Sequence, residues 1–289
     1  MDRLLSYSPI DAVYENLSEI AERENRLKEQ ELAHLRELAI EIASGFRDPA
    51  EFLVSLPNYR LPRNGISAET GVRRSVRLCT ELAKLIPIPP VRWQRFFFQS
   101  PGPSEPDINR VIYQQNRLSD AAFYRFTEHL HNAVPIAAHS FRSICEEVSR
   151  GFAAFGMVPL ESVGDERMIQ FLKTVNEYDL RIVSSCEMRP EVGRSARFVL
   201  LAASLASVDQ LLIPSLRFAF SLRPEEARPE EVLLAARQLR LSLLSATVTG
   251  EQPGALHALV RVGDGDLYAF LLYLAMEAPQ YNPMGLYSD

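Results

Sequence analysis

A long segment with regular apolar spacing near the amino terminus limits the possible folds more than any other feature. From residue 9 to 45 the apolar residues recur three or four positions apart, which is the spacing of one face of an α-helix. Pro9 suits its first turn and Gly45 suits its end. The stripe consists of Val13, Leu17, Ile20, Leu27, Leu38 and Ile42. Its middle, residues 22–31, is almost entirely polar, and such a helix either bridges solvent or is completed by a partner.

Helical spacing recurs along the rest of the chain. A helix is predicted over residues 67–85, and an apolar stripe predicts another over 119–150, with a kink at Pro135. Residues 196–222 are apolar nearly all round, which indicates central core helices. A further helix is predicted over 229–246, since Pro229 suits a first helical position.

Signals for strands are few. Residues 179–188 resemble a short strand, and residues 92–99 suit either a short strand or a buried aromatic plug. The Asp264-Gly265 pair suits a hairpin turn, with a loop between helices as the alternative. We therefore predict a mainly α fold: a helical bundle with a long amino-terminal helix and two or three short strands.

A proline-rich stretch suggests where the chain divides. Six prolines lie between residues 87 and 106, and proline interrupts both helices and strands. We therefore predict an amino-terminal helical segment over residues 1–105, which ends in a basic hinge rich in proline and aromatic residues. A carboxy-terminal helical core domain is predicted over residues 106–289.

Positive charge is concentrated in one part of an acidic chain. Between residues 55 and 100 there are eight basic residues and two acidic ones, so this stretch carries +6 and the remainder −12. Cationic and aromatic side chains together are typical of single-stranded nucleic-acid sites. The candidates are Arg73, Arg74, Arg77, Arg92, Trp93 and Arg95. Because the whole chain is acidic, the alternative is that this strip docks on an acidic surface of the same chain or of a second copy.

The sequence lacks the common signatures of catalysis and metal binding. It contains no H-E-x-x-H, G-x-S-x-G or Walker A motif. Two E-x-x-H pairs, Glu31 with His34 and Glu128 with His131, have the spacing used in di-iron bundles. The second pair falls on the outward face of its predicted helix, so no metal site is predicted. An enzymatic or small-molecule site would use Glu128, His131 and His139, between helices 119–150 and 196–222.

The cysteines and the termini bear on the compartment. Cys79, Cys145 and Cys186 form no C-x-x-C pair, which favours free thiols in a reducing compartment. The amino terminus lacks the pattern of a signal peptide, and charged residues interrupt the most apolar stretch, residues 198–220. We expect a cytoplasmic protein without a membrane span.

These observations favour a protein that acts by binding other molecules over one that acts as an enzyme. The first hypothesis is a non-enzymatic helical interaction protein (a regulator, adaptor or assembly factor) that binds a protein partner, a second copy of itself, or both. The second hypothesis is a nucleic-acid-binding protein that uses residues 60–98. The third and weakest is an enzyme or small-molecule binder, and no cofactor is predicted.

Overall fold

A single mixed sheet of nine strands organises the protein, so the prediction of a mainly α, bundle-like fold is wrong. The computed structural model describes residues 9–98, 108–128, 130–160, 165–189, 195–205, 214–223, 225, 228–249 and 255–288. Within these ranges helices pack against both faces of the sheet. The fold class is therefore α/β.

The helices of the described residues fall into an amino-terminal group and a group interspersed with strands. They are α1 Pro9–Ser44, α2 Pro49–Ser55, α3 Ala68–Leu85, α4 Trp93–Phe97, α5 Arg117–Thr127, α6 Phe141–Ser149, α7 Asp165–Glu177, α8 Pro229–Gln238 and α9 Leu267–Glu277. Short 3-10 helices lie at Leu56–Tyr59 and Pro90–Arg92. No helix in this part of the chain is both long enough and apolar enough to cross a bilayer.

The strands are joined in an order that differs from their order in the sequence. They are β1 Asn109–Tyr113, β2 Ala133–Ala137, β3 Phe155–Leu160, β4 Arg181–Met188, β5 Ala196–Ala202, β6 Arg217–Leu222, β7 Ser242–Thr249, β8 Ala255–Arg261 and β9 Asn282–Tyr287. Across the sheet they run β2-β1-β3-β5-β4-β9-β6-β8-β7. β1 is parallel to β2 and β3, and β4 is parallel to β9. The other neighbouring pairs are antiparallel.

The half of the sheet from β2 to β4 is covered by a helix layer on each face. The connections β1-α5-β2 and β2-α6-β3 lead in opposite directions across the sheet, and right-handed crossovers then place α5 and α6 on opposite faces. The apolar side of α5 packs on β1, β3 and β5. α6 and α7 pack on the other face.

The half from β9 to β7 is built around α9. This helix is apolar on all sides and almost fully buried, as expected for a helix at the centre of a core. Phe270 of α9 packs edge-to-face on Phe220 of β6, with ring centroids 5.7 Å apart. Buried residues of α1, α2, α3 and α4 belong to the same hydrophobic cluster. The amino-terminal helices and the carboxy-terminal strands therefore share one core.

The two amino-terminal helices predicted from apolar spacing are confirmed. α1 and α3 begin and end within about one residue of the predicted bounds. Ser67 caps α3, because its hydroxyl accepts a hydrogen bond of 3.2 Å from the Thr70 amide. Between the two helices lie α2 and the 3-10 turn that follows it.

The helix predicted over residues 119–150 is wrong. The stripe belongs to two separate helices, α5 and α6, and strand β2 lies between them. Pro135, which we expected to kink a helix, lies within β2. β2 is an edge strand, where proline's missing amide is tolerated.

The core helices predicted over residues 196–222 are also wrong, because β5 and β6 occupy the two ends of this stretch. Both strands are covered on both faces. A strand of this kind is as uniformly apolar as a buried helix, so periodicity does not separate the two. The helix predicted over 229–246 ends at Gln238, and residues 242–249 form β7.

The predicted turns and strands have mixed outcomes. The strand predicted over 179–188 is confirmed as β4. The hairpin at Asp264-Gly265 is wrong, because this turn joins β8 to α9. Asp266 caps α9 by accepting a hydrogen bond of 2.9 Å from the Ala269 amide. Residues 93–97 form helix α4, and the aromatic-plug alternative fits the burial of Trp93 and its neighbours.

The boundary predicted at residues 105/106 lies outside the described residues, and the two-domain division stays a prediction.

Candidate functional site

The amino-terminal half of α1 extends into solvent. Every residue from 13 to 30 is exposed, and at 1.5 Å per residue these 18 residues span about 27 Å. We call them the projecting segment. Contact with the rest of the protein begins near Glu31 and continues through the buried Leu35, Ala39 and Ile42.

The projecting segment carries an apolar stripe into solvent. Val13, Leu17, Ile20 and Leu27 are each more than half exposed, although their spacing of four, three and seven places them on one face. The same face continues into the buried part of α1. An exposed apolar stripe that extends a buried one marks a contact surface.

Charge is distributed unevenly along this segment. Residues 13–22 contain three acidic residues and no basic ones, whereas residues 23–30 contain three basic and two acidic residues. Weak i, i+4 pairs join Arg26 to Glu22 at 3.8 Å and Lys28 to Glu24 at 3.7 Å. All four side chains are more than half exposed, so these pairs add little stability. The two halves carry opposite net charges, so residues 13–22 of one copy can attract residues 23–30 of another copy.

The carboxy-terminal half of α1 is anchored on α3. Glu31 of α1 forms a salt bridge with Arg74 of α3. Arg36 of α1 lies 3.8 Å from Glu81 of α3. The anchoring fixes the direction in which the projecting segment leaves the body of the protein.

The arginines of the predicted basic strip are not gathered on one open face. Arg74 is occupied by Glu31, while the Arg73 Nε and Arg77 Nη1 atoms are buried and make no hydrogen bond within the described residues. Arg92 and Arg95 are exposed on other elements, at the end of the 3-10 helix Pro90–Arg92 and within α4. Arg74 thus pairs with an acidic group of the same chain, and docking of the whole strip stays a prediction.

The aromatic residues of the strip are largely internal. Trp93 is buried, stacks on Tyr268 with ring centroids 5.9 Å apart, and donates a hydrogen bond of 2.8 Å from Nε1 to the Ile88 carbonyl. Phe97 and Phe98 are also buried. Base stacking needs an open aromatic face, and Trp93 does not offer one.

A second set of arginine contacts was missed at the sequence level. Arg63, in the loop before α3, forms salt bridges with Glu231 of α8 and with Glu277 of α9, the latter at 3.0 Å. Both carboxylates are less than a tenth exposed, and the Ser75 hydroxyl donates a hydrogen bond of 2.7 Å to Glu277. We call these four residues the Arg63 cluster. The positive segment and the Arg-Pro-Glu-Glu start of α8 were visible in the sequence, but nothing there showed that they meet.

The structure does not bring the two histidines predicted for a ligand pocket, His131 and His139, to the same end of a strand. His131 precedes β2 and His139 follows it, so the two imidazoles lie at opposite ends of this strand. Both are exposed, and Glu128 pairs with Arg125 at 2.8 Å on the surface. The stretches predicted as the enclosing helices contain the strands β2, β5 and β6, and a ligand site at these residues stays a prediction.

The three cysteines are free, as the sequence suggested. Cys79 and Cys145 are buried, and Cys186 is half-buried. Burial raises the pKa of all three thiols, to about 12 for Cys145 and to about 11 for Cys186. None has the lowered pKa of a nucleophilic cysteine.

No protein-family model and no curated protein matches the sequence. Among solved structures, similarity is found to prephenate dehydratase from Streptococcus mutans, with 12% identity, a TM-score of 0.47 and coverage of 62% of this chain and 98% of the other. Prephenate dehydratase from Arthrobacter aurescens, solved with L-Phe, has 11% identity and a TM-score of 0.49, and the match covers 62% of this chain and 90% of the other. A quorum-quenching acylase, GqqA, has 15% identity and a TM-score of 0.45, and the match covers 62% of this chain and 95% of the other. At these values the similarity assigns neither a family nor an activity to this chain.

Proposed function

We propose that the protein is a non-catalytic interaction protein that associates with a second copy of itself through the projecting segment of α1. The observation that carries the proposal is the apolar stripe of Val13, Leu17, Ile20 and Leu27, which is exposed on a helix whose other half is packed in the core. An isolated helix of this length is marginal in water. Burial of the stripe against another helix would stabilise it.

The charge pattern favours a second copy in the antiparallel direction. A parallel pair would place the acidic residues 13–22 of one copy beside the same residues of the other. An antiparallel pair places them beside residues 23–30, which carry a net positive charge. Opposite charges that flank an apolar seam set partner choice and orientation.

The expected association is weak and concentration-dependent. The stripe contributes four apolar side chains from each copy, and partial burial yields about 1 kcal/mol each, or about 8 kcal/mol in total. Association also loses translational and rotational freedom, which offsets part of this gain. We therefore expect a dissociation constant of about 1 mM or weaker.

Sedimentation velocity over a range of protein concentrations tests the proposal. The unmodified protein is expected to shift from 32.6 kDa toward twice that mass as its concentration rises. The double variant Leu17→Glu/Leu27→Glu should stay monomeric, because it places charge in the seam. Val54→Glu is the matched control, since Val54 is an exposed apolar residue outside α1.

Two results would contradict self-association. One is an unmodified protein that stays monomeric at every concentration, which would leave the stripe to a different partner. The other is a dimer that persists in the double variant, which would place the interface elsewhere on the protein.

A further inference from the structure

A cavity of about 590 Å³ lies beside the Arg63 cluster. Its walls are the loop of residues 60–67, the first turns of α3 and α8, and the last turns of α9. A volume in this range accommodates a small metabolite. The cavity lies away from the projecting segment of α1, so a ligand site here does not depend on self-association.

Positive groups outnumber negative ones around this cavity. Arg60, Arg63 and Arg228 line it, together with Glu231 and Glu277. Arg63 bonds to both carboxylates, and Arg228 lies 3.5 Å from Glu231, so the two negative charges are already neutralised. The surplus of one arginine leaves the cavity favourable to an anion.

The side chain of Arg228 is the cation best placed to move. It is 72% exposed at the mouth of the cavity. Arg60, by contrast, is held by the end of α9, because it donates hydrogen bonds of 2.7 Å to the Met276 carbonyl and 2.9 Å to the Glu277 carbonyl. The first turns of α3 and α8 also present their positive dipole ends to the cavity.

The Tyr273 hydroxyl provides the second and independent indication of a ligand. Tyr273 is fully buried and lines the cavity, and its hydroxyl makes no hydrogen bond of normal geometry within the described residues. The neighbouring Arg63 guanidinium carries only donors, so it provides no acceptor for the hydroxyl proton. A buried polar atom without a partner is uncommon and calls for a ligand, an ion or a water molecule. Burial, and after it the charge of Glu277, raises the pKa of this phenol. The group therefore stays protonated and acts as a hydrogen-bond donor.

We propose that this cavity binds a small organic anion, a carboxylate or a phosphate, whose oxygens accept hydrogen bonds from the Tyr273 hydroxyl and the Arg228 guanidinium. The Tyr273 hydroxyl and the exposed Arg228 guanidinium both offer donors at the cavity, so the ligand supplies acceptors. The neutralised glutamates hold Arg63 in place and shape the floor of the site.

Two simple probes test the proposal on the full-length protein. Trifluoroacetate, followed by fluorine NMR, represents the carboxylate, and inorganic phosphate, followed by phosphorus NMR, represents the phosphate. Saturable line broadening by at least one probe is expected, with a dissociation constant in the millimolar range. The probe that binds more tightly identifies the anion class.

Two variants separate a ligand site from a structural cluster. Tyr273→Phe and Arg228→Gln should each weaken binding about tenfold, since each removes one hydrogen bond to a charged oxygen. Tyr273→Phe should keep or raise resistance to urea, because the lost hydroxyl makes no hydrogen bond of normal geometry to the described residues. Arg125→Gln is the matched control, as Arg125 is a similarly exposed arginine far from the cavity.

Three results would overturn the proposal. The first is the absence of saturable binding for both probes. The second is equal binding by the unmodified protein and both cavity variants. The third is an equal loss in Arg125→Gln, which would show attraction to general positive charge.

Discussion

Arg63 shows how much of this fold depends on single charged residues. Its guanidinium bonds to Glu231 and Glu277, which belong to different helices and are both buried. A buried carboxylate loses its hydration, and only pairing with good geometry offsets that loss. Arg63 therefore connects the loop before α3 to both α8 and α9.

Replacement of Arg63 by methionine should lower the free energy of unfolding by about 3–5 kcal/mol, because it removes the salt bridge to the buried Glu277 and leaves the buried Glu231 with only the exposed Arg228. Arg125→Met is the matched control. It breaks the 2.8 Å pair with Glu128, whose members are both more than half exposed, and should lose less than about 1 kcal/mol. Urea unfolding of both variants measures the difference. Equal losses would show that the Arg63 cluster contributes no more than a surface pair.

His257 should make stability depend on pH. It lies on β8, is buried, and its Nδ1 lies 3.2 Å from the Met284 Sδ. Burial lowers its pKa below the ordinary 6.5. Between these two pKa values the unfolded chain binds a proton that the folded protein does not, so stability falls as the pH drops below 6.5.

The comparison of urea unfolding at pH 7.5 and about 5.5 tests this prediction. His257→Gln should lose less stability over that interval than the unmodified protein does. His139→Gln, a change at an exposed histidine, should behave like the unmodified protein. An identical pH dependence in all three would show that His257 is not responsible.

At the scale of elements, the sequence predicted α1 and α3 because each keeps one side polar. Their apolar residues recur at helical spacing on one face, and the other faces of each helix contact solvent or another helix. β5 and β6 offered no such contrast, because both faces of each strand are buried. Their uniform apolar character matches a core helix equally well, and only pairing with distant strands decides the outcome.

The projecting segment of α1 permits a test of whether its charged residues control the pairing of two copies. The variant Glu15→Lys/Glu19→Lys/Glu22→Lys makes the segment basic throughout, and Arg23→Glu/Arg26→Glu/Lys28→Glu makes it strongly acidic. Each variant alone should be monomeric, because like charges then meet in every alignment. A mixture of the two should form heterodimers, which native mass spectrometry resolves when one variant carries an isotope label.

Two other results would contradict pairing controlled by these charges or show that the variants are unsuitable. If each variant alone still forms a dimer, the flanking charges do not set the interface. If the mixture stays monomeric while the unmodified protein dimerises, the substitutions disturb the helix itself, which circular dichroism would show.

At the scale of the whole molecule, the candidate sites depend on contacts that the sequence does not encode locally. The Arg63 cluster joins a loop near residue 60 to helices more than 160 residues later. The placement of His131 and His139 depends on the sheet in the same way, since β2 lies between them. Local spacing locates elements, whereas a site of this kind requires the order of strands in the sheet.

Of the neighbouring strands in the sheet, β4 and β9 have the fewest aligned residue pairs. Only Ile182 and Gly285 are aligned across this parallel junction. A Cβ at Gly285 would lie 2.8 Å from the Ile182 Cβ, so glycine permits the close approach of the two strands. One hydrophobic cluster joins β6 and α9 to the amino-terminal helices. A second joins α5 to β1, β3 and β5. A third lies on the face of the sheet that α6 and α7 cover, and it crosses the β4–β9 junction.

This arrangement predicts two regions that open separately, with a border at the β4–β9 junction. Leu82 of α3 and Leu200 of β5 are both almost fully buried, in different clusters, and replacement of either by alanine should cost about 2–5 kcal/mol. In native-state hydrogen exchange, Leu82→Ala should reduce the protection of β6 and α9 much more than that of β1, and Leu200→Ala should do the reverse. Equal loss across the sheet would show one cooperative unit. Loss confined to residues before 105 would instead support a division there, because the shared core would then transmit no stability to β6 and α9.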